Sequence, residues 1–446
     1  MSSVMTFETL RGWNYQLTDH EARRVREIQE THDAARALLE LSRFGNGFVR
    51  EAAVERLAGQ PSAEALVALL ERLNDWVPQV RLQAQRAVEQ FLVVERAELL
   101  LQALAPLLSL GHKQRVDHRH TLLKARNLLS MPQMREQVEL AFGGCRGEAG
   151  RFLFDLLLEN GSDRPSFLAS ALAHEDVTVR QKAVSACADL STADAVPLLE
   201  RAFQSSAASL RVQALRGLLT LLSDPTGHVK AALLDGSAAV RCLARWAAPR
   251  YGVDSLQVLL SRLTGALPVS RREWLGLLGL AKELNHSLPD SALRAALDSP
   301  VAVVRVQALQ SLGDAGLEQQ LAALDDHSER VFRCAVQLLS HQQWSLLDVQ
   351  LEQRLDNDWQ GLSDERRAAL LGLKPVWHQL DYLLRRYAQA AEEAGYWLKQ
   401  IAFWCDAQYT LVDPVTPKAH REVLLQRLQA MEDSGELKSG TVRRLR

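Results

Sequence analysis

The chain has 446 residues and an apolar fraction of 47%, enough for a large hydrophobic core and at odds with global disorder. Its 52 Lys+Arg against 54 Asp+Glu give a formal net charge of -2, which argues against a molecule that binds polyanions over its whole surface. The five cysteines, at 145, 187, 242, 334 and 405, form no Cys-x-x-Cys pair, arguing against a disulfide framework or a thiolate zinc site.

Taken in chain order, the first segment, MSSVMTFETLRGW, lacks the basic-then-apolar order of a secretion signal, so a cytoplasmic location is expected. Trp13 and Tyr15 in residues 7–17 are expected to cover the first repeat. Residues 18–43 read as one long helix, with Thr18 as N-cap and Glu21 at capping-box spacing. Residues 1–43 thus make an N-terminal capping segment.

From 44 to 345 the chain repeats. The pattern apolar-Arg-x-x-Ala occurs six times, at Val49-Arg50…Ala53, Val80-Arg81…Ala84, Val179-Arg180…Ala183, Leu210-Arg211…Ala214, Val240-Arg241…Ala244 and Val304-Arg305…Ala308. The arginine spacings of 31, 99, 31, 30 and 64 approximate one, three, one, one and two units. Residues 95–165 hold degenerate units, Ser270-Arg271-Arg272-Glu273-Trp274 stands near a missing copy, and Phe332-Arg333-Cys334-Ala335 reads as a looser one. The branched residue and the alanine, four apart, share one helix face; the arginine points sideways. A polar turn precedes each pattern, among them Asn74-Asp75, Glu175-Asp176, Ser205-Ser206 and Asp235-Gly236-Ser237, and another apolar stretch precedes the turn. Each unit therefore reads as a helical hairpin that buries its faces only against its neighbours.

After 346 the period fades into a C-terminal cap, 346–434. Eight of the 26 aromatics lie within 376–409: Trp377, Tyr382, Tyr387, Tyr396, Trp397, Phe403, Trp404 and Tyr409. Two readings stand: a buried cap closing the array, or an exposed docking patch with Trp397 and Trp404 as contacts. Pro414 and Pro417 break the chain before a helix over 418–434, whose apolar side is Val423, Leu424, Leu428 and Met431. Residues 435–446 read as a basic mobile tail. No apolar run reaches the ~18 residues of a membrane span, and strand-and-turn alternation is missing. The fold expected is all-α: a solenoid superhelix of about nine or ten hairpins with helical caps.

The repeated Val-Arg-x-x-Ala, the Asp-bearing turn and the period near 31 resemble short bacterial HEAT repeats, the kind named after phycobilisome-lyase proteins, over roughly two thirds of the chain. The resemblance implies a right-handed superhelix with a groove lined by the second helices. It implies no particular activity. HEAT-like deoxyhypusine hydroxylases ligate iron through several His-Glu pairs; here only His20-Glu21 and His174-Glu175 occur, out of repeat register. HEAT-like alkylpurine DNA glycosylases use aromatic, acidic and basic residues in a cleft; Trp246, Arg245, Arg250 and Asp254 are a loose counterpart. Lyase subunits share the repeats, and no residue here marks a bilin contact.

The densest polar constellation is His112, Lys113, Arg115, His118, Arg119 and His120, continuing into Lys124 and Arg126. It is a candidate for phosphate or nucleic acid, for an acidic protein partner, or for nothing beyond a solvated helix face; no complete metal-ligand set accompanies it. The six repeat arginines, Arg50, Arg81, Arg180, Arg211, Arg241 and Arg305, read as a structural ladder to the Asp-rich turns. Nucleophile and phosphate-loop signatures are lacking. Cys145, in a glycine-rich turn beside Arg146, is the one thiol with a conceivable lowered pKa; Cys187, Cys242 and Cys334 read as buried or half-buried fillers. The expected function is a non-catalytic protein-binding scaffold without cofactor or metal, with Gln83, Gln181, Gln213 and Gln307 as groove candidates. The alternative is nucleic-acid binding through the 112–126 cluster with Arg443, Arg444 and Arg446.

Overall fold

Polar caps cut the chain into short helices, and the apolar stripe of each helix decides what it packs against. The computed structural model describes residues 17–161, 163–357, 359–389, 391–407 and 415–445; the expectations for Trp13, Tyr15, Tyr409, Pro414 and Arg446 fall outside them. Among the described residues there are 28 α-helices and no strand, so the protein is all-α. It divides into two compact units, Met1–His228 and Val229–Arg446. The division falls inside the repeat array and not at residue 345, because one hydrophobic core runs from Leu321 through Leu339 and Leu347 to Leu445.

The first unit opens with the Thr18–Glu21 capping box, in which Thr18 N–H donates to the Glu21 carboxylate at 2.9 Å. The expected single helix over 18–43 is two, Asp19–Thr31 and Ala34–Leu41. Asp33 is the reason: its carboxylate accepts from Arg36 N–H and starts a second helix. Stacking then follows the repeat. Gly47–Leu57 packs on Pro78–Glu89, and Val177–Ala186 on Gly147–Asn160 and Ala208–Leu221. First helices stack likewise, Ala34–Leu41 on Ala63–Arg72 and Arg164–Ala171 on Thr192–Phe203. This is an α-solenoid. The branched residue and the alanine of all six patterns are buried, and close approach at alanine is what lets hairpins stack. In the degenerate stretch the helices are short: Ala97–Gln102 and Leu104–Ser109 meet at Ala103.

In the second unit Ala238–Ala247, Arg271–Glu283, Ala302–Leu312 and Glu329–Leu339 form a row of packed second helices. Arg271–Glu283 occupies the place of the missing copy and fits there through glycine. A Cβ on Gly276 would lie 2.0 Å from the Leu234 carbonyl oxygen, and one on Gly279 would lie 2.3 Å from the Arg241 guanidinium. Gly279→Ala is expected to cost about 1–3 kcal/mol by forcing that buried side chain aside. Gly143→Ala, on a helix with open space around it, is the neutral or stabilising control, both read by urea denaturation.

The looser copy is registered one residue differently from the sequence reading. Val331 and Ala335 take the core positions, so Phe332 stands where the others have arginine and Arg333 is exposed, paired with Glu329. Arg366 from a later helix supplies the guanidinium instead, stacking on Phe332 at 4.4 Å and donating to the Asp326 carbonyl at 2.8 Å.

The residues beyond 434 differ from the expected mobile tail. Leu437, Val442 and Leu445 are buried in the core cluster, Thr441–Leu445 is helical, and Glu432 accepts from the Gly440 and Val442 amides at 2.6 and 2.9 Å. Spaced apolar side chains in a polar segment suffice to dock it. In Lys418–Asp433, Leu424, Leu425, Leu428 and Met431 are buried, whereas Val423 is exposed.

Candidate functional site

The repeat arginines are held by a recurring turn. Before five of the six arginines, the residue six places back uses its side chain to accept an amide two residues on; before Arg50 that place is Phe44, and Asn46 accepts the Phe48 amide instead. Asp75 accepts from Val77 at 2.9 Å, Ser205 from Ala207 at 3.2 Å, Asp235 from Ser237 at 2.7 Å and Ser299 from Val301 at 3.2 Å. His174 does the same through Nδ1, from Asp176 at 3.0 Å, while its Nε2–H donates to the Phe142 carbonyl at 3.0 Å. Both partners fix the orientation of the ring, which stacks 4.7 Å from Phe142.

The arginine closes the turn from the other side. Nη1 donates to the carbonyl six residues back: Arg50 to Phe44, Arg81 to Asp75, Arg211 to Ser205, all at 2.8 Å, and Arg241 to Asp235 and Arg305 to Ser299, both at 2.7 Å. In three of them the remaining edge of the fork reaches a carboxylate further along the chain. Arg50 grips Asp75 through Nε and Nη2 at 2.9 and 2.8 Å; Arg305 grips Asp326 at 2.8 Å through both. Arg241 reaches Glu283 at 3.1 and 2.6 Å. These side chains are buried and engaged, which makes them structural. Arg180 differs: its Nε is buried without a partner, and it donates to no carbonyl or carboxylate among the described residues.

The 112–126 segment folds as a 3₁₀ turn, a loop and the helix Arg119–Leu129. Its charges are largely answered locally. His112 faces Glu148 at 3.4 Å, Lys124 faces Glu89 at 3.4 Å and Arg126 meets Glu159 at 2.5 Å. Arg115 donates to the Asn74 carbonyl at 2.7 Å. Arg119 hydrogen-bonds Asp117 and with its own amide lowers that carboxyl to about 2, so Asp117 already occupies the helix N-terminus. Lys113 and His120 are exposed. His118 is buried, and burial pushes its imidazole down. It therefore does not belong to a basic surface with its neighbours.

Of the C-terminal aromatics, the two singled out for docking are interior. Trp397 is 0% and Trp404 5% exposed, packed against Trp359 at 4.7 Å and Trp377 at 5.8 Å respectively. The buried-cap reading holds for them, and they are withdrawn as contacts. A patch of repeated aromatic residues says nothing about which edge of a helix faces out. The most exposed large rings among the described residues are others: Phe403 at 72%, Trp76 at 66% and Trp246 at 64%. Trp76 follows Asp75 in its turn and stacks 5.1 Å from the Arg50 guanidinium; Trp246 stacks 5.2 Å from Arg250. Trp76 was not among the sequence candidates, though an aromatic in a polar turn is a legible signal.

The glycosylase-like grouping dissolves: Asp254 caps Ser255–Leu263 through the Leu256 and Gln257 amides, and Arg245 pairs with Glu283 at 3.1 Å. Burial raises the Cys145 thiol, opposite to an activated nucleophile, and Arg146 is engaged by Glu175. Cys187 and Cys334 are buried as expected, but Cys242 is exposed. Gln83, Gln181, Gln213 and Gln307 are half-buried, and the Oε1 atoms of Gln213 and Gln307 are buried without a partner. No described group of three His, Cys, Asp or Glu residues could hold a metal ion, and no described helix is long and apolar enough to cross a membrane.

No family model and no curated protein matches the chain. Among solved structures, a homology model of the full-length AP-3 complex in an intermediate open conformation aligns over 94% of this chain and 92% of that one, at 11% identity and a TM-score of 0.25. A crystal structure of an engineered protein aligns over 80% of this chain and 95% of that one, at 16% identity and a TM-score of 0.19. Likenesses at this level bear no functional argument.

Proposed function

We propose that the protein is a non-catalytic protein-binding scaffold of the short bacterial HEAT type, acting in the cytoplasm. The observation that supports this is the fixed presentation of Trp76. Its ring is two-thirds exposed, yet the guanidinium beneath it is pinned by Asp75 and two backbone carbonyls. An exposed tryptophan held in place loses little entropy on binding, and such rings dominate the energetics of protein interfaces. Trp246 over Arg250 repeats the device in the second unit. Nucleic-acid binding gains less support, since most cations of the 112–126 cluster face carboxylates or carbonyls of the chain itself.

The test is affinity capture from the native cell with wild type, Trp76→Ala and Trp246→Ala, with and without nuclease. The expected result is a protein partner that survives nuclease and is lost with the substitutions, while stability changes by no more than about 0.5 kcal/mol. Loss on nuclease treatment alone would favour the nucleic-acid reading.

A further inference from the structure

Arg180 breaks the clamp rule at both ends. Arg50 and Asp75 are 25 residues apart in sequence, and 25 residues after Arg180 stands Ser205. Ser205 does half of what Asp75 does: its Oγ accepts the amide two residues on, and its carbonyl takes the arginine of its own helix, Arg211. It lacks the second half, the carboxylate that receives the preceding arginine. The own-turn end is unused by Arg180 as well. His174 satisfies that turn with Phe142 and Asp176, and Arg180 does not donate to the His174 carbonyl. Arg180 is half-buried, with Nε unpartnered. A guanidinium in this setting offers a fork of donors and no acceptor, and its complement is a carboxylate.

We propose that Arg180 is an open carboxylate position filled in trans, by an aspartate or glutamate side chain of a protein partner. The incoming group meets the unpartnered Nη nitrogens, since Nε is closed to solvent, and bridges helix Val177–Ala186 to the Ser205 turn. This inference rests on the scaffold reading and names the chemistry of its partner. The array supplies its own carboxylate at Asp75, Glu283 and Asp326, and Arg81 without one still holds the Asp75 carbonyl; Arg180 holds neither kind of acceptor among the described residues, which sets this position apart.

Ser205→Asp provides the test, because it keeps the turn acceptor and adds the missing carboxylate in cis. The probes are sodium acetate, a short blocked peptide with one aspartate, and its asparagine counterpart. The readout is the Arg180 Nε–H resonance, assigned by its loss in Arg180→Lys. The expected result is a saturable shift with the aspartate peptide and none with asparagine. Ser205→Asp should weaken that binding about tenfold or more and raise the melting temperature. Equal shifts by both peptides, response to acetate but to neither peptide, or unchanged affinity in Ser205→Asp would each overturn the proposal. Capture of a partner that needs Trp76 but is indifferent to Ser205→Asp would also overturn it while leaving the scaffold reading intact.

Discussion

Asp75→Ala is expected to lower stability by about 3–5 kcal/mol at neutral pH, measured by urea denaturation, because it strands the buried Arg50 guanidinium. Asp75 also receives the Val77 amide and lies 3.4 Å from Arg72, so one side chain joins two helices and two cations. Asp75→Asn should fall between, since it keeps an acceptor for Val77 and removes the charge. The pH dependence carries a sign. Burial pushes the Asp75 carboxyl up, but hydrogen bonds from Arg50 and the Val77 amide, with the charges of Arg50 and Arg72, outweigh it and leave the pKa below the ordinary value. A carboxyl lowered on folding contributes stability above its unfolded pKa and loses it as pH falls through the folded one. The gap between wild type and Asp75→Asn should therefore be full above about pH 4 and shrink below it. A gap that persists unchanged at pH 2–3 would mean that charge is not what the pair supplies.

Trp397→Ala is the second large effect, about 3–5 kcal/mol, with a matching loss of near-ultraviolet circular dichroism. The ring is fully buried and contacts Trp359 at 4.7 Å, Tyr396 at 5.1 Å, Tyr382 at 6.2 Å and the Arg386 guanidinium at 5.0 Å. Removing it opens a cavity among aromatic partners that cannot close around an alanine. Phe403→Ala, six residues further along the same helix and exposed, should change stability by no more than about 0.5 kcal/mol. Similar losses from the two would contradict the assignment of inner and outer faces.

The helices and their stacking were legible because both are periodic properties. The Val and Ala of each pattern lie four apart, and no arrangement other than a buried stripe serves six copies of them. Two arginine-to-turn pairs, Arg50 with Asp75 and Arg305 with Asp326, follow the acidic turns seen in the sequence. Four features were not. Phe332 took an arginine position because Arg366, 34 residues later, could reach the same carbonyl, a substitution through space that leaves no local trace. His174 fills an aspartate's place in its turn because an imidazole nitrogen accepts an amide as a carboxylate does. The inner and outer aromatics of 376–409 share one composition, and only the partners across the core separate Trp397 from Phe403. The tail after 434 misled because its few apolar residues were outnumbered, although docking depends on their spacing.

The unclosed clamp at Arg180 also bears on cooperativity. In a linear stack, opening at one end spreads only as far as nearest-neighbour coupling enforces it. Where a guanidinium ties each turn to the next, adjacent hairpins exchange their amides together. Where the tie is missing, the hairpins on either side are expected to open as separate foldons, and the proposed ligand at that junction to join them into one. Occupancy of a single surface position would thereby be felt as stiffness along the first unit.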